Sequence, residues 1–413
     1  MNVQRARFSR GLGAALLAAC GCGSGSGAPA VSSRDASAIV TAPPAAQPQG
    51  TSAALVLPKA SCSKLPSPGA WENVSPPAFL NPPNMETLAV AVSPEDGVVF
   101  AAAGNKTNGG DSGTGVYRSV DCGATWERAS TGAGSEKLGT GDPWALLIPA
   151  TKPTTIYVNN GYGQEPTIYR STNGGVDFTA LDPDSKDVLV SKSNHVQAMA
   201  VEKGNPKHIA VTFHDNCGPP FTGNCLSKSI DGGTTWQMFP GPANLKGWLE
   251  AASLSVLGPS SYLYTCDSGI YFTEDTGKTW SQPLKGGLYG SYGGSTHIGP
   301  DGTLYLGVGN AGIFTSNPKN GPIGKVWSAE PLKGSPRNVG VLIDDGKHLY
   351  ASWSWDSGGQ PFSMAPLSDL TAWKPMKSPP IARGSNQLAY DSKHHVLYSA
   401  NWGAGLWRVV TEP

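Results

Sequence analysis

One short pattern constrains this chain more than any other. Ser229-Ile230-Asp231-Gly232-Gly233-Thr234-Thr235-Trp236 reads S/T-x-D-x-G-x-T-W, and the pattern returns at Ser119 to Trp126 and at Thr273 to Trp280. A looser copy, Ser171 to Phe178, has Asn173 in place of the acid and Asp177 just before the aromatic. Each residue type has a mechanical role. An Asp carboxylate accepts backbone amides a few residues on, and the Ser or Thr hydroxyl adds another local bond. The Gly supplies the positive φ of a tight turn. The Trp then opens the next strand with a ring large enough to fill the gap between two sheets. Each copy therefore reads as a hairpin clip. Its structural residues are Ser119, Asp121, Gly123 and Trp126, then Ser171, Asn173 and Gly175, then Ser229, Asp231, Gly233 and Trp236, and last Thr273, Asp275, Gly277 and Trp280.

The clip aromatics serve as a ruler. Trp71, Trp126, Phe178, Trp236, Trp280, Trp327 and Trp373 are separated by 55, 52, 58, 44, 47 and 46 residues. That period belongs to four-stranded propeller blades. Composition agrees: 53 Gly and 35 Pro among 413 residues, with 15% charged, describe short strands and many turns. Alternating runs precede the clips at Thr87 to Val92, Trp144 to Ile148, Val196 to Val201, Ala252 to Leu257, Val339 to Ile343 and Gln387 to Tyr390. The last repeat stops after three strands, and Trp71-Glu72-Asn73-Val74 reads as an outer strand with no blade before it. The expectation is an all-β, seven-bladed propeller over residues 62–413, its ring closed by pairing the two ends. Such closure removes exposed sheet edges.

The clips resemble the Asp-box, or BNR, repeats of the sialidase-like superfamily, also found in sortilin-type receptors, xyloglucanases and the photosystem II assembly factor. The resemblance spans about residues 62–413. It implies the propeller fold and no single activity, because that fold hosts many.

The start of the chain reads as an address. Arg5, Arg7 and Arg10 precede a short apolar run, Gly11 to Ala19, too brief to span a membrane. Leu17-Ala18-Ala19-Cys20 resembles the bacterial lipobox, which implies removal of residues 1–19 and a lipid on Cys20. Residues 20–61, rich in Gly, Ser, Ala and Pro, read as a flexible tether. The expected location is the bacterial cell envelope, at the outer membrane or cell surface, with membrane contact through the lipid alone. Zero formal net charge argues against a nucleic-acid partner. Seven cysteines fit an oxidising compartment. Cys217 and Cys225 flank a Gly/Pro-rich loop and can staple it. Cys62 and Cys122 can pair if the first segment lies beside the first clip, leaving Cys266 as a buried thiol. No Cys/His set has zinc spacing.

With this strand order the clips sit at one end of the ring, and ligands meet the loops at the other. Three readings of that face follow. In the first, Trp144, Trp248, Tyr289, Tyr292, Trp353, Trp355 and Trp402 offer rings to the C–H faces of sugars, with Asn, Asp and Arg around them. In the second, two of Asp142, Asp215, Glu250, Asp267 and Asp356 flank a glycosidic bond. Sialidase chemistry is disfavoured. Arg118, Arg170 and Arg408 recur at equivalent third-strand positions, so they read as repeat structure, and there is no Arg-Ile-Pro. Only Arg337 and Arg383 remain for the ligand face. In the third, His195, His214 and His297 fall on that face and could share a divalent metal, with Arg337 and Arg383 holding an acidic sugar as in propeller-type uronate lyases. No cofactor is firmly implied. His208, His348, His394 and His395 fall at clip-side turns and read as solvated. The function expected from sequence is binding of a glycan or glycoprotein by a monomer. A carbohydrate-active enzyme and a protein-assembly scaffold are the alternatives.

Overall fold

The structure is a computed structural model describing residues 57–79, 86–104, 114–149, 154–163, 167–182, 196–243, 245, 253–285, 288, 296–309, 311–353, 361–381 and 384–411. Its strands form seven antiparallel sheets. The first strand in the chain, β1 (Trp71–Asn73), belongs to the last sheet. Blade 1 is β2 (Glu86–Val92), β3 (Val99–Gly104), β4 (Gly115–Ser119) and β5 (Glu127–Arg128). Blade 2 is β6 (Gly141–Leu147), β7 (Ile156–Gly163), β8 (Thr167–Ser171) and β9 (Thr179–Leu181). Blade 3 is β10 (Val196–Glu202), β11 (Asn205–Phe213), β12 (Cys225–Ser229) and β13 (Gln237–Pro240).

Blade 4 has three strands, β14 (Ser253–Val256), β15 (Tyr262–Cys266) and β16 (Gly269–Thr273), and an isolated bridge from Phe272 to Ser281 stands where an outer strand would run. Blade 5 also has three: β17 (Thr296–Ile298), β18 (Leu304–Val308) and β19 (Gly312–Ser316). Blade 6 is β20 (Val339–Asp344), β21 (His348–Trp353), β22 (Phe362–Pro366) and β23 (Lys374–Pro375). Blade 7 is β24 (Ser385–Asp391), β25 (Val396–Asn401), β26 (Gly405–Val410) and finally β1.

The ring is closed. Inner strands touch in sequence: β2 meets β6, β6 meets β10, and so on through β14, β17, β20 and β24 back to β2. The core is accordingly seven apolar wedges, one per blade interface. One joins Phe100 and Val116 of blade 1 to Leu146, Ile156 and Tyr169 of blade 2, and another joins blade 7 to blade 1 through Tyr398, Leu406, Val99 and Tyr117. The remaining five wedges fill the interfaces from blades 2 and 3 through blades 6 and 7. At the seam Trp71 pairs with Val409, Glu72 with Arg408 and Asn73 with Trp407, as the sequence implied. Leu57 to Ser61, which sequence assigns to the tether, lies against blade 1. Leu57 is buried there, and the amides of Ala60 and Ser61 donate to Asp96 O and Val120 O at 2.8 Å each. Among the described residues no helix is long and apolar enough to cross a membrane.

The clips work as their residues suggest. In blade 3 the Ser229 hydroxyl donates to Asp231 at 2.8 Å and accepts the Gly233 amide at 2.7 Å. Asp231 also accepts the Thr235 amide at 2.9 Å and its hydroxyl at 2.6 Å. Ser119, Asp121, Gly123 and Thr125 repeat the scheme, as do Thr273, Asp275, Gly277 and Thr279. Clip two reverses one bond: Asn173 Nδ2 donates to Asp177 Oδ2 at 2.8 Å. In clip five an insertion pushes the glycine to Gly324. Ser316 Oγ still accepts its amide at 2.9 Å, and Trp327 Nε1 still donates to Gly324 O at 2.7 Å, without any acid. The clip indoles brace the preceding blade: Trp126 Nε1 donates to Val74 O at 2.8 Å and Trp280 Nε1 to Pro240 O at 3.1 Å.

A second fastener links three of the third strands to the next clip. Arg170 Nη1 donates to Gly232 O at 2.6 Å, Arg408 to Cys122 O, and Lys228 Nζ to Thr276 Oγ1 at 3.3 Å. Gly232, Cys122 and Thr276 hold the same clip position, just before the glycine of the repeat, so one basic side chain serves the same purpose at three interfaces. Arg118 instead pairs with Glu127 on its own outer strand at 2.5 Å. Arg408 is the largest fully buried side chain, and it also bonds Glu72 and Lys64 O. Among the described residues the disulfides are Cys62–Cys122 and Cys217–Cys225, and Cys266 is a buried thiol whose pKa burial pushes up to about 11.

Candidate functional site

The inner strands surround a central channel with two unlike mouths. Clips and first-to-second-strand turns share one end: the Gly232 amide bonds Lys207 O, and the Thr276 amide bonds Ser260 O, at 2.9 and 3.0 Å. At that mouth a cavity of about 540 Å³ is lined by Lys203, Ser255, Thr296, His297 and Asp344. Its polar side chains are mutually satisfied. His297 Nε2 bonds Asp344, Ser255 and Thr296 share a bond of 2.5 Å, and Lys203 Nζ reaches Ile298 O and Gly299 O at 3.4 and 3.5 Å.

The opposite mouth is built from bulges. The ladder between first and second strands slips in blades 1, 2, 3, 6 and 7 near the start of the inner strand. In blade 3 Val196 pairs with Phe213 and Ala198 with Thr212, so Gln197 is extra. In blade 7 Ser385 pairs with Asn401 and Gln387 with Ala400, so Asn386 is extra. In blade 2 Pro143 pairs with Asn160 and Ala145 with Asn159, so Trp144 is extra. Bulges re-aim side chains and recur beside functional sites. Here they turn Trp144, Gln197 and Asn386 out of the regular alternation at one end of the channel.

Those residues meet. Asn386 Nδ2 donates to Trp144 O at 3.0 Å, and Gln387 grips both strands beside it, accepting from Val90 and Leu146 amides and donating to Leu146 O at 2.9 Å. Blades 7 and 2 are not neighbours in the ring, so these contacts span the channel. The half-buried Trp144 ring meets the edge of Trp402, which is 7% exposed, with centroids 5.5 Å apart and planes at 64°. Beside them several buried polar atoms have no hydrogen-bond partner: both amide atoms of Asn160, Asn159 Oδ1, Gln197 Oε1 and Thr212 Oγ1. Buried polar groups are almost always paired, so a cluster of orphans marks a place where other polar groups fit.

The structure brings some sequence candidates together and separates others. Trp144 and Trp402 converge, with Trp402 as the brace. His214 is buried at the end of β11 and bonds Asp215 at 3.2 Å, above the Cys217–Cys225 staple. Asp267 is exposed in the turn between β15 and β16, and Arg337 is exposed before β20. His297 is a correction. It lies in a three-residue inner strand against Asp344, at the clip-side mouth, so it does not share the opposite face with His214. The four turn histidines are a second correction, for none is merely solvated. His208 is buried between Glu202 at 3.0 Å and Tyr262 OH at 2.8 Å, and His348, His394 and His395 bond Asp345, Asp391 and Tyr390. His195, Trp248, Glu250, Tyr289, Tyr292, Trp355, Asp356, Arg383 and Cys20 lie outside the described residues, and the side chain of Asp142 is likewise not described. Sequence reasoning missed Gln197 and Gln387. A polar residue inside an otherwise apolar inner strand was the available signal.

No protein-family profile and no curated protein matches the chain. Solved structures do. YCF48 bound to D1 peptide aligns over 86% of this chain and 100% of its own, at 17% identity and TM-score 0.53. YCF48 from Cyanidioschyzon merolae aligns over 82% and 98%, at 14% and 0.52. A catalytically inactive virginiamycin B lyase from Staphylococcus aureus with quinupristin aligns over 83% and 99%, at 14% and 0.55. The likeness is one of fold. At these identities the seven-bladed propeller is what the proteins share, and the site must be argued from its own residues.

Proposed function

We propose that the chain is an exported propeller of the Asp-box type, anchored to the bacterial cell envelope by a lipid on Cys20, that binds a glycan or glycosylated partner as a monomer. The binding surface is the bulged mouth opposite the clips. The observation that carries the reading is the half-buried Trp144 ring, braced by Trp402 at the mouth where the Asn160 amide and Gln197 Oε1 have no partner among the described residues. An indole face with polar side chains on the surrounding loops is the chemistry a sugar asks for: C–H groups against the ring, hydroxyls to the loop side chains. Asp215 and the exposed Asp267 and Arg337 lie on loops at the same end and can widen the contact.

The test is a glycan array probed with the chain from Ser52 onward, the compact unit of the fold, followed by titration of any hit. Trp144→Ala should weaken binding by about 10- to 100-fold, the range for loss of a central aromatic contact. Product analysis on the bound glycan separates binding from cleavage. An array without hits, or a hit indifferent to Trp144, would remove the glycan reading.

A further inference from the structure

The seam that closes the ring holds a cluster that neither the clips nor the channel explains. Cys62 of the N-terminal segment, Cys122 of the first clip, Asp391 at the end of β24 and His394 in the turn after it each offer one ligand atom, all within 4.8 Å of one another. Cys62 and Cys122 are joined as a disulfide. Asp391 is 1% exposed, and its Oδ1 accepts the amides of Lys393 and His394 at 2.9 and 3.3 Å. That leaves Oδ2 facing His394 Nδ1 at 2.6 Å and Cys122 Sγ at 3.8 Å. Blade 6 repeats the turn without sulfur. There Asp345 Oδ1 accepts the Lys347 and His348 amides, and Oδ2 accepts Tyr350 OH at 2.7 Å. The Asp-x-x-His turn is thus a device of the repeat, and the sulfur pair distinguishes the copy in blade 7. Cys122 also takes φ 59° in a slot that clips two and three fill with Gly174 and Gly232. Clip four holds Thr276 there at φ 56°, and its hydroxyl accepts from Lys228, so the slot carries a side chain where that side chain has a partner; for Cys122 the partner is Cys62.

We propose that when a thiol reductant opens the Cys62–Cys122 bond, Cys62, Cys122, Asp391 and His394 form a tetrahedral site for a zinc-class divalent ion. The seam is then fastened by a sulfur–sulfur bond under oxidising conditions and by a metal under reducing ones. The balance is simple. Two reductant thiols supply two electrons and two protons and leave as a disulfide, and the two cysteines become thiols. The ion then displaces both thiol protons and takes neutral His394 through Nδ1. Two thiolates, an imidazole and a carboxylate are ligands zinc accepts in this number. The backbone amides on Asp391 Oδ1 supply the outer hydrogen bonds that orient a ligating carboxylate. The disulfide ties the segment before β1 to blade 1, and the metal adds blade 7 through Asp391 and His394.

The test uses the full chain with Cys20→Ser and Cys22→Ser, and with Cys217→Ser and Cys225→Ser to remove the second sulfur pair. The reduced protein should take one Co²⁺ per chain with a thiolate-to-cobalt charge-transfer band. Zn²⁺ should displace the cobalt and raise the Tm of the reduced form, while the oxidised form takes no metal. His394→Ala should weaken Zn²⁺ by at least about 100-fold, since even outer-shell losses reach that size, and should leave the Tm of the oxidised form nearly unchanged. Should the reduced chain be unfolded without metal, recovery of its strand signal on adding Zn²⁺ supports the proposal, and no recovery overturns it. Absence of stoichiometric binding, or binding equal in His394→Ala, also overturns it.

Discussion

The two mouths of the central channel are made from the same inner strands, yet they treat polar groups differently. At the clip end each lining group has found a partner inside the protein: His297 with Asp344, Ser255 with Thr296, Lys203 with two carbonyls. At the other end the bulges leave Asn160, Asn159, Gln197 and Thr212 with unmatched atoms. A hydrogen-bonded buried group recovers most of its desolvation cost, whereas one left without a partner costs about 1–3 kcal/mol. A group supplied from outside is one of the partners such atoms can take. The proposed binding surface rests on that contrast.

The contrast can be broken or sharpened by substitution. The largest effect belongs to Arg408→Ala, which removes the buried guanidinium joining Glu72, Cys122 O and Lys64 O across the seam. Glu72 is half exposed, so the cost comes chiefly from the buried carbonyls left without a donor, about 1–3 kcal/mol each, to be read from chemical denaturation. A smaller loss would mean that the disulfide alone holds the seam. Next comes the reversed clip. Asn173→Asp would set a second carboxylate against Asp177, 2.8 Å from it in the present pair, and should cost about 1–2 kcal/mol. Adding Asp177→Thr restores the arrangement of the other clips and should recover most of it, a coupling that a double-mutant cycle would show.

The smallest effect is on pH. Bonds from the Thr279 hydroxyl and amide hold the Asp275 carboxyl near about 2, against an ordinary 3.8, and Asp231 is lowered in the same way, chiefly by Thr235. At Asp121 burial works upward, but the bonds from Thr125 and Ser119 outweigh it. The folded state therefore binds these protons less readily than the unfolded chain does. The clip contribution is complete above about pH 4 and is lost as pH falls toward 2. Thermal unfolding followed from pH 6 to pH 2 should show stability dropping in that window, and a flat profile would remove the clip acids from the stability account.

The wheel was legible because its period is written twice, in the clips and in the strand alternation, and because Trp71 stands apart from any blade of its own. Both disulfides and the buried Cys266 followed from placing cysteines on that wheel. What failed depended on contacts between blades. His208 reads as a turn histidine in one dimension, and nothing nearby in sequence announces Tyr262 from the next blade. His297 went to the wrong mouth because β17 has three residues and no apolar alternation, so an inner strand passed for a loop. The bulges were invisible for a related reason: a one-residue slip leaves composition and period unchanged. Asp391 and His394 lie some 270 residues from Cys122, a distance at which no spacing motif exists.

The most direct test sets one residue from each end side by side. Trp144→Ala and Asp231→Ala are compared for Tm and for affinity toward the glycan selected on the array. The account predicts that Trp144→Ala loses affinity and keeps its Tm within a degree or two. Asp231→Ala should melt several degrees lower and bind as tightly as the parent. Loss of binding in a fully folded Asp231→Ala, with Trp144→Ala binding normally, would place recognition at the clip end and contradict it.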